Sequence, residues 1–279
     1  MWGKGVPSTP EFALYTRIRW ESRTRRKLEF MVGQLMILRH GFSTWNEKNL
    51  FTGWVDVALS PIGVDEAKRA GRVIAESKFE PDVVFTSVLK RAIDTADIAL
   101  DEISDDAIET HRSWRLNERH YGALTGLDKK ETVKEFGEEQ VLLWRRSFDV
   151  PPPPTPPESK YDFSKDSLYA DVPCSLIPTS ECLKDVCARV MPYFEEEIAP
   201  RLLKGHNVLI VAHGNSLRAL IMKLENIPSE KIAEFELPTG TPRLYEFNDD
   251  FTLKDVRYLE DEQDVKARAA AVKSQASTQ

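Results

Sequence analysis

The chain has 279 residues, 41% hydrophobic and 30% charged, an ordinary soluble-globular composition with ample length for one large core. A formal net charge of -7 gives it no general electrostatic reason to bind nucleic acid or an anionic membrane, so an anionic small substrate needs locally concentrated Arg and Lys. Cys174, Cys182 and Cys187 are odd in number and form no CxxC, which argues against a disulfide framework or zinc site and fits a reducing, cytoplasmic setting; no apolar run approaches the ~20 residues of a membrane span.

The first 30 residues carry seven basic and three acidic side chains, a local charge of +4 that leaves -11 for the remainder. No apolar stretch follows them, so a secretory signal is excluded, and Glu11, Glu21 and Glu29 count against a transit peptide. Residues 1–30 read as a disordered basic extension, or as sequence upstream of a start at Met31. Residues 31–260 read as one α/β domain and 261–279 as a C-terminal tail.

Gln34–Leu38 is a short apolar run, predicted to be a buried strand, and it ends in Arg39-His40-Gly41. Ser60-Pro61 has the form of a helix N-cap followed by proline at the first helical position, with Val64, Ala67, Gly71 and Ile74 behind it at helical spacing. Val83–Thr86 is predicted as a second strand and Val88–Leu100 as a helix. Val150–Pro157 is too proline-rich for a helix or central strand and reads as an extended surface connection. Ser180 is predicted to cap a helix over Glu181–Ile198. Asn207–Ala212 is a further apolar strand running into His213-Gly214, with a helix over Asn215–Leu224. Arg243–Phe247 and Phe251–Tyr258 suggest a late strand pair around Asn248-Asp249-Asp250. Strands alternating with helices imply a mostly parallel central sheet flanked by helices on both faces.

Two strand ends therefore carry a histidine followed by glycine. Ligands of an open parallel sheet sit beyond the carboxyl ends of its strands, so His40 and His213 are predicted to face one site. The glycines would let backbone approach a ligand closely, and a helix beginning after Asn215 would turn its free N–H groups toward an anion. A metal reading is poor. Metal sites need three or four ligands, and neither histidine has a carboxylate close before it in the chain. A histidine nucleophile is the better reading, because imidazole can accept a phosphoryl group when a positive field neutralises its oxygens. Arg39, Arg91, Arg119 and the pair Arg145-Arg146 could supply that field through bidentate guanidinium contacts. Glu118, between Asn117 and Arg119, is either a salt-bridge partner or the proton carrier that transfer to and from a hydroxyl requires. His111 and His206 read as surface or packing residues, and His120 as a residue behind the site. Trp45, Trp54, Trp114 and Trp144 read as core or pocket wall.

The stretches LRHGFSTWN (38–46), FTGW (51–54), FTSVLKRAI (85–93), WRLNERHYGALTGL (114–127), LLWRRSFDVPPPP (142–154), VAHGNSLRAL (211–220) and LPTGTP (237–242) resemble the histidine phosphatase superfamily, and within it the cofactor-dependent phosphoglycerate mutases. The resemblance covers about Met31 to Lys266. It implies that His40 becomes the phosphohistidine and that His213 is its partner at the transferring phosphoryl group. It further implies that Arg39 and Arg91 are phosphoryl ligands, that Asn46 and Asn215 are hydrogen-bond donors, and that Glu118 is the general acid/base. Arg119, Tyr121, Lys129, Arg145 and Arg146 would clamp the substrate carboxylate and second phosphate, and Ser43, Thr52, Gly53 and Gly214 would also contact substrate. The implied activity interconverts 3-phosphoglycerate and 2-phosphoglycerate after priming by 2,3-bisphosphoglycerate, without a metal, in a homodimer whose C-terminal tail covers the site. Two positions depart from the family pattern: Phe42 and Glu260 stand where the family usually has Glu and Gly. Rival readings are a bisphosphoglycerate mutase, disfavoured by Ser43 and Thr52-Gly53, a broad phosphatase, disfavoured by the NERHYG stretch and the Arg145-Arg146 pair, and a non-catalytic scaffold.

Overall fold

The computed structural model describes residues 31–274; the basic N-terminal extension expected at 1–30 lies outside them. The chain begins with strand β1 (Leu35–Arg39), followed by helices α1 (Thr44–Glu47) and α2 (Pro61–Glu76), strand β2 (Val83–Thr86), helix α3 (Lys90–Asp101) and strand β3 (Glu109–Arg112). Helices α4 (Lys129–Phe136), α5 (Glu138–Arg146), α6 (Leu183–Tyr193) and α7 (Ala199–Leu203) lead to strand β4 (Val208–Ala212) and helix α8 (Gly214–Leu224). Helix α9 (Ser229–Ile232), the antiparallel strands β5 (Arg243–Phe247) and β6 (Leu253–Tyr258), and helix α10 (Glu262–Ser274) complete it.

The sheet order is β3-β2-β4-β1-β5-β6, with the first four strands parallel and the last two antiparallel. That is the mostly parallel α/β sheet expected. The central strands are apolar apart from Arg39 and Thr86 at the carboxyl ends of β1 and β2, because both faces are covered, and alternate side chains serve opposite layers. Leu35 and Ile37 of β1 pack with Val186 and Val190 of α6 and Leu217 and Leu220 of α8. Met36 and Leu38 pack on the other face with Ala70 and Ile74 of α2 and Ala96 and Ala99 of α3. Helix α2 starts as its sequence predicts, the Ser60 hydroxyl accepting the Gly63 N–H at 3.2 Å with Pro61 in the first turn.

Several boundaries differ from expectation for local reasons. Ser180 does not cap the following helix: its hydroxyl donates to the Pro152 carbonyl at 2.6 Å, and α6 opens after Cys182, whose N–H is taken by Asp185. The helical path also runs past Ile198, through a π-turn over Phe194–Ile198 into α7. Pro200 lacks the N–H that a regular turn would give back to residue 196, and the wider turn absorbs the defect. Phe251 has φ 64° and belongs to the turn, so β6 starts later than the sequence suggested. Helix α3 starts two residues late and α8 one residue early. The proline-rich stretch forms neither helix nor strand. Strand β3 was not anticipated at all; its four residues, ETHR, form a largely exposed edge with no apolar run to betray it. In the C-terminal segment, Glu260 receives hydrogen bonds from Arg69 of α2 at 3.1 Å and Arg268 of α10 at 3.0 Å, which ties that helix to the body.

Candidate active site

Strands β1 and β4 are parallel neighbours with Arg39 opposite Ala212, so their ends release His40 and His213 side by side. The His40 N–H still donates to the Ala212 carbonyl at 3.0 Å. The two rings lie 4.9 Å apart between centroids, at an interplanar angle of 59°. His40 Nδ1 is 2.7 Å from the Gly41 carbonyl, which only accepts; Nδ1 therefore carries the proton and Nε2 keeps its lone pair. Burial, followed by the charges of Arg91 and Arg39, holds the His40 pKa well below the usual imidazole range, so the ring is neutral. His213 is neutral for the same reasons, burial first and Arg91 next, and its Nε2 contacts the Ser87 hydroxyl at 2.7 Å.

Arg91, in the first turn of α3, is fully buried and held on three sides. Its Nη1 and Nη2 donate to the carbonyls of Val55 and Gly53 at 2.9 and 2.8 Å, and its Nε points to His40 Nε2 at 3.3 Å. Glu118 comes from the turn after Trp114–Leu116. Its carboxylate accepts the Arg119 N–H at 2.7 Å, the Asn215 side chain at 2.8 Å and the Asn215 N–H at 3.2 Å. Burial raises its pKa, but these hydrogen bonds, with Arg39 and Arg91 behind them, outweigh that effect and leave it lowered. The free N–H groups at the start of α8 thus meet an anion, and it is the Glu118 side chain.

The cleft above these groups has a volume of about 700 Å³ and is open to solvent. Arg39, His40, Ser43, Asn46, Thr52, Gly53, Arg91, Glu118, Tyr121, Lys129, Arg145, Arg146, Gly214 and Asn215 all line it. Lys129 and Arg145 crowd the other cations there. Burial first, then Arg145 and Arg39, push Lys129 down to about 7, and burial and Arg146 push Arg145 down to about 10. Arg39 Nε is buried without an acceptor among the described residues, as suits a pocket built for an anion.

Two predicted site residues stand behind the wall rather than in it. His213 lies fully buried beneath His40. Arg119 is turned away: its guanidinium sits 4.7 Å over the Tyr121 ring and donates to the Arg145 carbonyl at 3.0 Å, so it braces the clamp. The role expected of Gly41 also changes. A Cβ there would fall 2.2 Å from the Gly63 carbonyl oxygen, so the glycine admits α2 to the nucleophile loop, not a ligand. The Phe42 ring is not in the cleft lining. Its backbone N–H donates to Glu66 at 2.8 Å and its carbonyl accepts from Ser60.

Sequence reasoning missed Ser87, Arg218, Glu236 and the Arg189–Glu181 pair. Arg218 could have been found three residues beyond Asn215 on one helix face. Glu236 gave no such signal, since its partners come from other segments, and Arg189, although only eight residues from Glu181, takes its meaning from carbonyls more than 70 residues away. Among the described residues, no three His, Cys, Asp or Glu side chains converge in a way that could hold a metal ion.

Comparison with known proteins agrees with this geometry. Residues 35–170 and 166–261 match the model of the histidine phosphatase superfamily, branch 1. A 2,3-bisphosphoglycerate-dependent phosphoglycerate mutase from Thermobifida fusca (strain YX) is 53% identical over 243 residues, covering 86% of this chain and 98% of its own. One of the same name from Clavibacter sepedonicus is 54% identical over 245 residues, covering 87% and 97%. Among solved structures, mycobacterial hydrolase 1 superposes with a TM-score of 0.61 at 23% identity over 81% of this chain and 96% of its own, a likeness of fold. The chain belongs to the histidine phosphatase superfamily and, within it, to the family of 2,3-bisphosphoglycerate-dependent phosphoglycerate mutases.

Proposed function

We propose that the chain is a phosphoglycerate mutase that interconverts 3-phosphoglycerate and 2-phosphoglycerate through phosphohistidine on His40, with 2,3-bisphosphoglycerate as primer and intermediate. The observation that carries the reading is the convergence, in one cleft, of a neutral histidine with an unprotonated Nε2, an ionised Glu118, and the basic side chains Arg39, Arg91, Lys129, Arg145, Arg146 and Arg218. A ligand of roughly -5 charge, two phosphates and a carboxylate, fits such a lining.

Once His40 carries a phosphoryl group on Nε2, Glu118 takes the proton of the C2 hydroxyl of 3-phosphoglycerate as that oxygen attacks phosphorus. The P–N bond breaks and its electron pair returns to Nε2. After the bisphosphate turns over in the cleft, Nε2 attacks its other phosphorus, and Glu118 returns the proton to the departing oxygen. Glu118 begins and ends ionised, as its lowered pKa requires. Arg91 and Arg39 sit where charge accumulates on the transferred group. No metal takes part in this scheme. A cytoplasmic homodimer is the assembly the family resemblance suggests, and light scattering tests it.

The experiment is a turnover assay with 3-phosphoglycerate in chelator, with and without 2,3-bisphosphoglycerate. Primer-dependent isomerisation that survives chelation, with acid-labile label on His40, is expected. Loss of activity to chelator would remove the metal-free scheme, and absence of both turnover and label would remove the mutase reading.

A further inference from the structure

Three consecutive residues between α9 and β5 hold three arginines of the cleft. The Phe235 carbonyl accepts from Arg218 Nε at 3.1 Å, and the Leu237 carbonyl accepts from Arg39 Nη1 at 2.7 Å. Between them, the Glu236 carboxylate lines the cleft and forms ion pairs with Arg146 Nη2 and, at 3.7 Å, with Arg218 Nη2. The carboxylate is only 8% exposed, so solvent screens it weakly. It is the one acidic group of the lining besides Glu118, and the proton transfers described above do not use it.

We infer that Glu236 is a specificity-determining residue: an internal counter-anion that holds Arg146 and Arg218 in the empty cleft and weakens its grip on the most highly charged ligand. The argument is electrostatic. A fixed negative charge beside a bound anion costs an energy proportional to the ligand's own charge. It therefore penalises a bisphosphate of roughly -5 more than a monophosphate of roughly -3. Lining cations alone would bind the bisphosphate far tighter than either monophosphate, and uniform tight binding of an intermediate does not speed its turnover. The carboxylate levels that difference and keeps both guanidiniums aimed while they wait. Burial and then Arg146 lower Arg218 to about 10, with Glu236 opposing them, which agrees with a carboxylate that offsets crowded positive charge.

The choice of bisphosphate as one ligand rests on the mutase reading, but the electrostatic claim is testable without it. Dissociation constants for orthophosphate, pyrophosphate and 2,3-bisphosphoglycerate are measured calorimetrically on the full chain and on Glu236→Gln. Tighter binding of all three is expected, by roughly threefold for orthophosphate rising to tenfold or more for the bisphosphate. The gain should shrink in high salt. Equal factors for the three ligands, unchanged affinities with only a lower melting temperature, or weaker binding would each overturn the inference. If the Gln variant does not fold, Glu236→Asn is the second neutral variant and faces the same outcomes. Because two probes are inorganic and no turnover is read, a wild-type chain that fails to isomerise phosphoglycerate removes the mutase reading and leaves this result standing.

Discussion

Arg91 Nε points at His40 Nε2 from 3.3 Å, the atom left unprotonated by the contact of Nδ1 with the Gly41 carbonyl. One guanidinium thus depresses the basicity of His40 and, on the mutase reading proposed above, faces the oxygens of the phosphoryl group. A free imidazole loses its lone pair to protonation near pH 6.5. The His40 pKa lies well below that, so the ring stays neutral and competent as pH falls through 6. Rapid-quench measurement of phosphohistidine formation should show no loss of rate between pH 8 and 6; a midpoint near 6.5 would contradict the assignment. Arg91→Gln removes the second cause of the shift after burial. The acid limb then moves up toward the ordinary value, and the rate falls by about 10²- to 10³-fold.

Lys129 gives the opposite pH signature. Its pKa is lowered to about 7 by burial and by Arg145 and Arg39, so the empty cleft holds it largely protonated below that pH and largely neutral above. A bound anion favours the charged form. Binding therefore takes up a proton at alkaline pH, and affinity weakens as pH rises above 7, by at most about tenfold per unit. Titration calorimetry in buffers of different ionisation enthalpy checks the proton uptake directly. Lys129→Arg should bind tightly with a flat profile, and Lys129→Met weakly with a flat profile. A pH dependence that survives in the Met variant would place the titrating group elsewhere.

The contact between the nucleophile loop and α2 is backbone against backbone, so it separates two substitutions that look comparable in sequence. A Cβ on Gly63 would lie 2.0 Å from the Phe42 carbonyl oxygen, and neither partner is a movable side chain. Gly63→Ala must push the loop off the helix, at a cost of about 1–3 kcal/mol in urea unfolding, with a fall in kcat because His40 is two residues away. Phe42→Glu, in contrast, leaves the backbone contacts of Phe42 to Glu66 and Ser60 in place and changes a ring outside the cleft lining. Its kcat should stay within about twofold of the parent, as for surface changes away from special contacts. A large kcat gain in the Glu variant would show that the ring disturbs the loop.

These contrasts show where sequence reading has reach. The strands that deliver His40 and His213 were legible because each is buried on both faces and so runs apolar from Leu35 to Leu38 and from Val208 to Ala212. Their adjacency follows from parallel pairing that only the fold supplies, although the shared His-Gly endings hinted at it. Gly41 was legible as special but for the wrong neighbour, since nothing local announces that Gly63 will press against it. The edge strand β3 escaped because a largely exposed ETHR segment has no apolar pattern. Arg119 and Arg145 looked equivalent as cations. Packing over Tyr121 turned one behind the wall and left the other in it. Glu236 was invisible for the same reason: its meaning depends on α5 and α8 meeting a loop remote from both in the chain.

Arg189 is the plainest case of a residue whose task only the structure reveals, and it yields the last prediction. Its Nε and Nη2 grip the Glu181 carboxylate at 2.6 and 3.0 Å, while Nη1 and Nη2 hold the carbonyls of Arg115, Asn117 and Glu118 at 2.7, 3.0 and 2.9 Å. Glu181 in turn accepts the His120 N–H at 2.8 Å, and the Trp54 indole donates to the Glu118 carbonyl at 2.7 Å. The loop that presents Glu118 is therefore suspended from one guanidinium and its carboxylate, both largely buried. Lysine has three donors and no planar fork, so Arg189→Lys leaves buried carbonyls unmatched. Arg189→Met leaves Glu181 charged and alone, and should cost about 3–5 kcal/mol of stability. In the Lys variant, kcat should fall more than KM rises, because the loop carries Glu118 itself but meets the other cleft cations only through the Arg119 contact with the Arg145 carbonyl. Phosphohistidine formation from the bisphosphate, in which Glu118 must protonate the departing oxygen, should be slowed together with the full isomerisation. Phosphohistidine formation at the parent rate, or a change confined to KM, would show that Arg189 merely stabilises the fold and does not position Glu118.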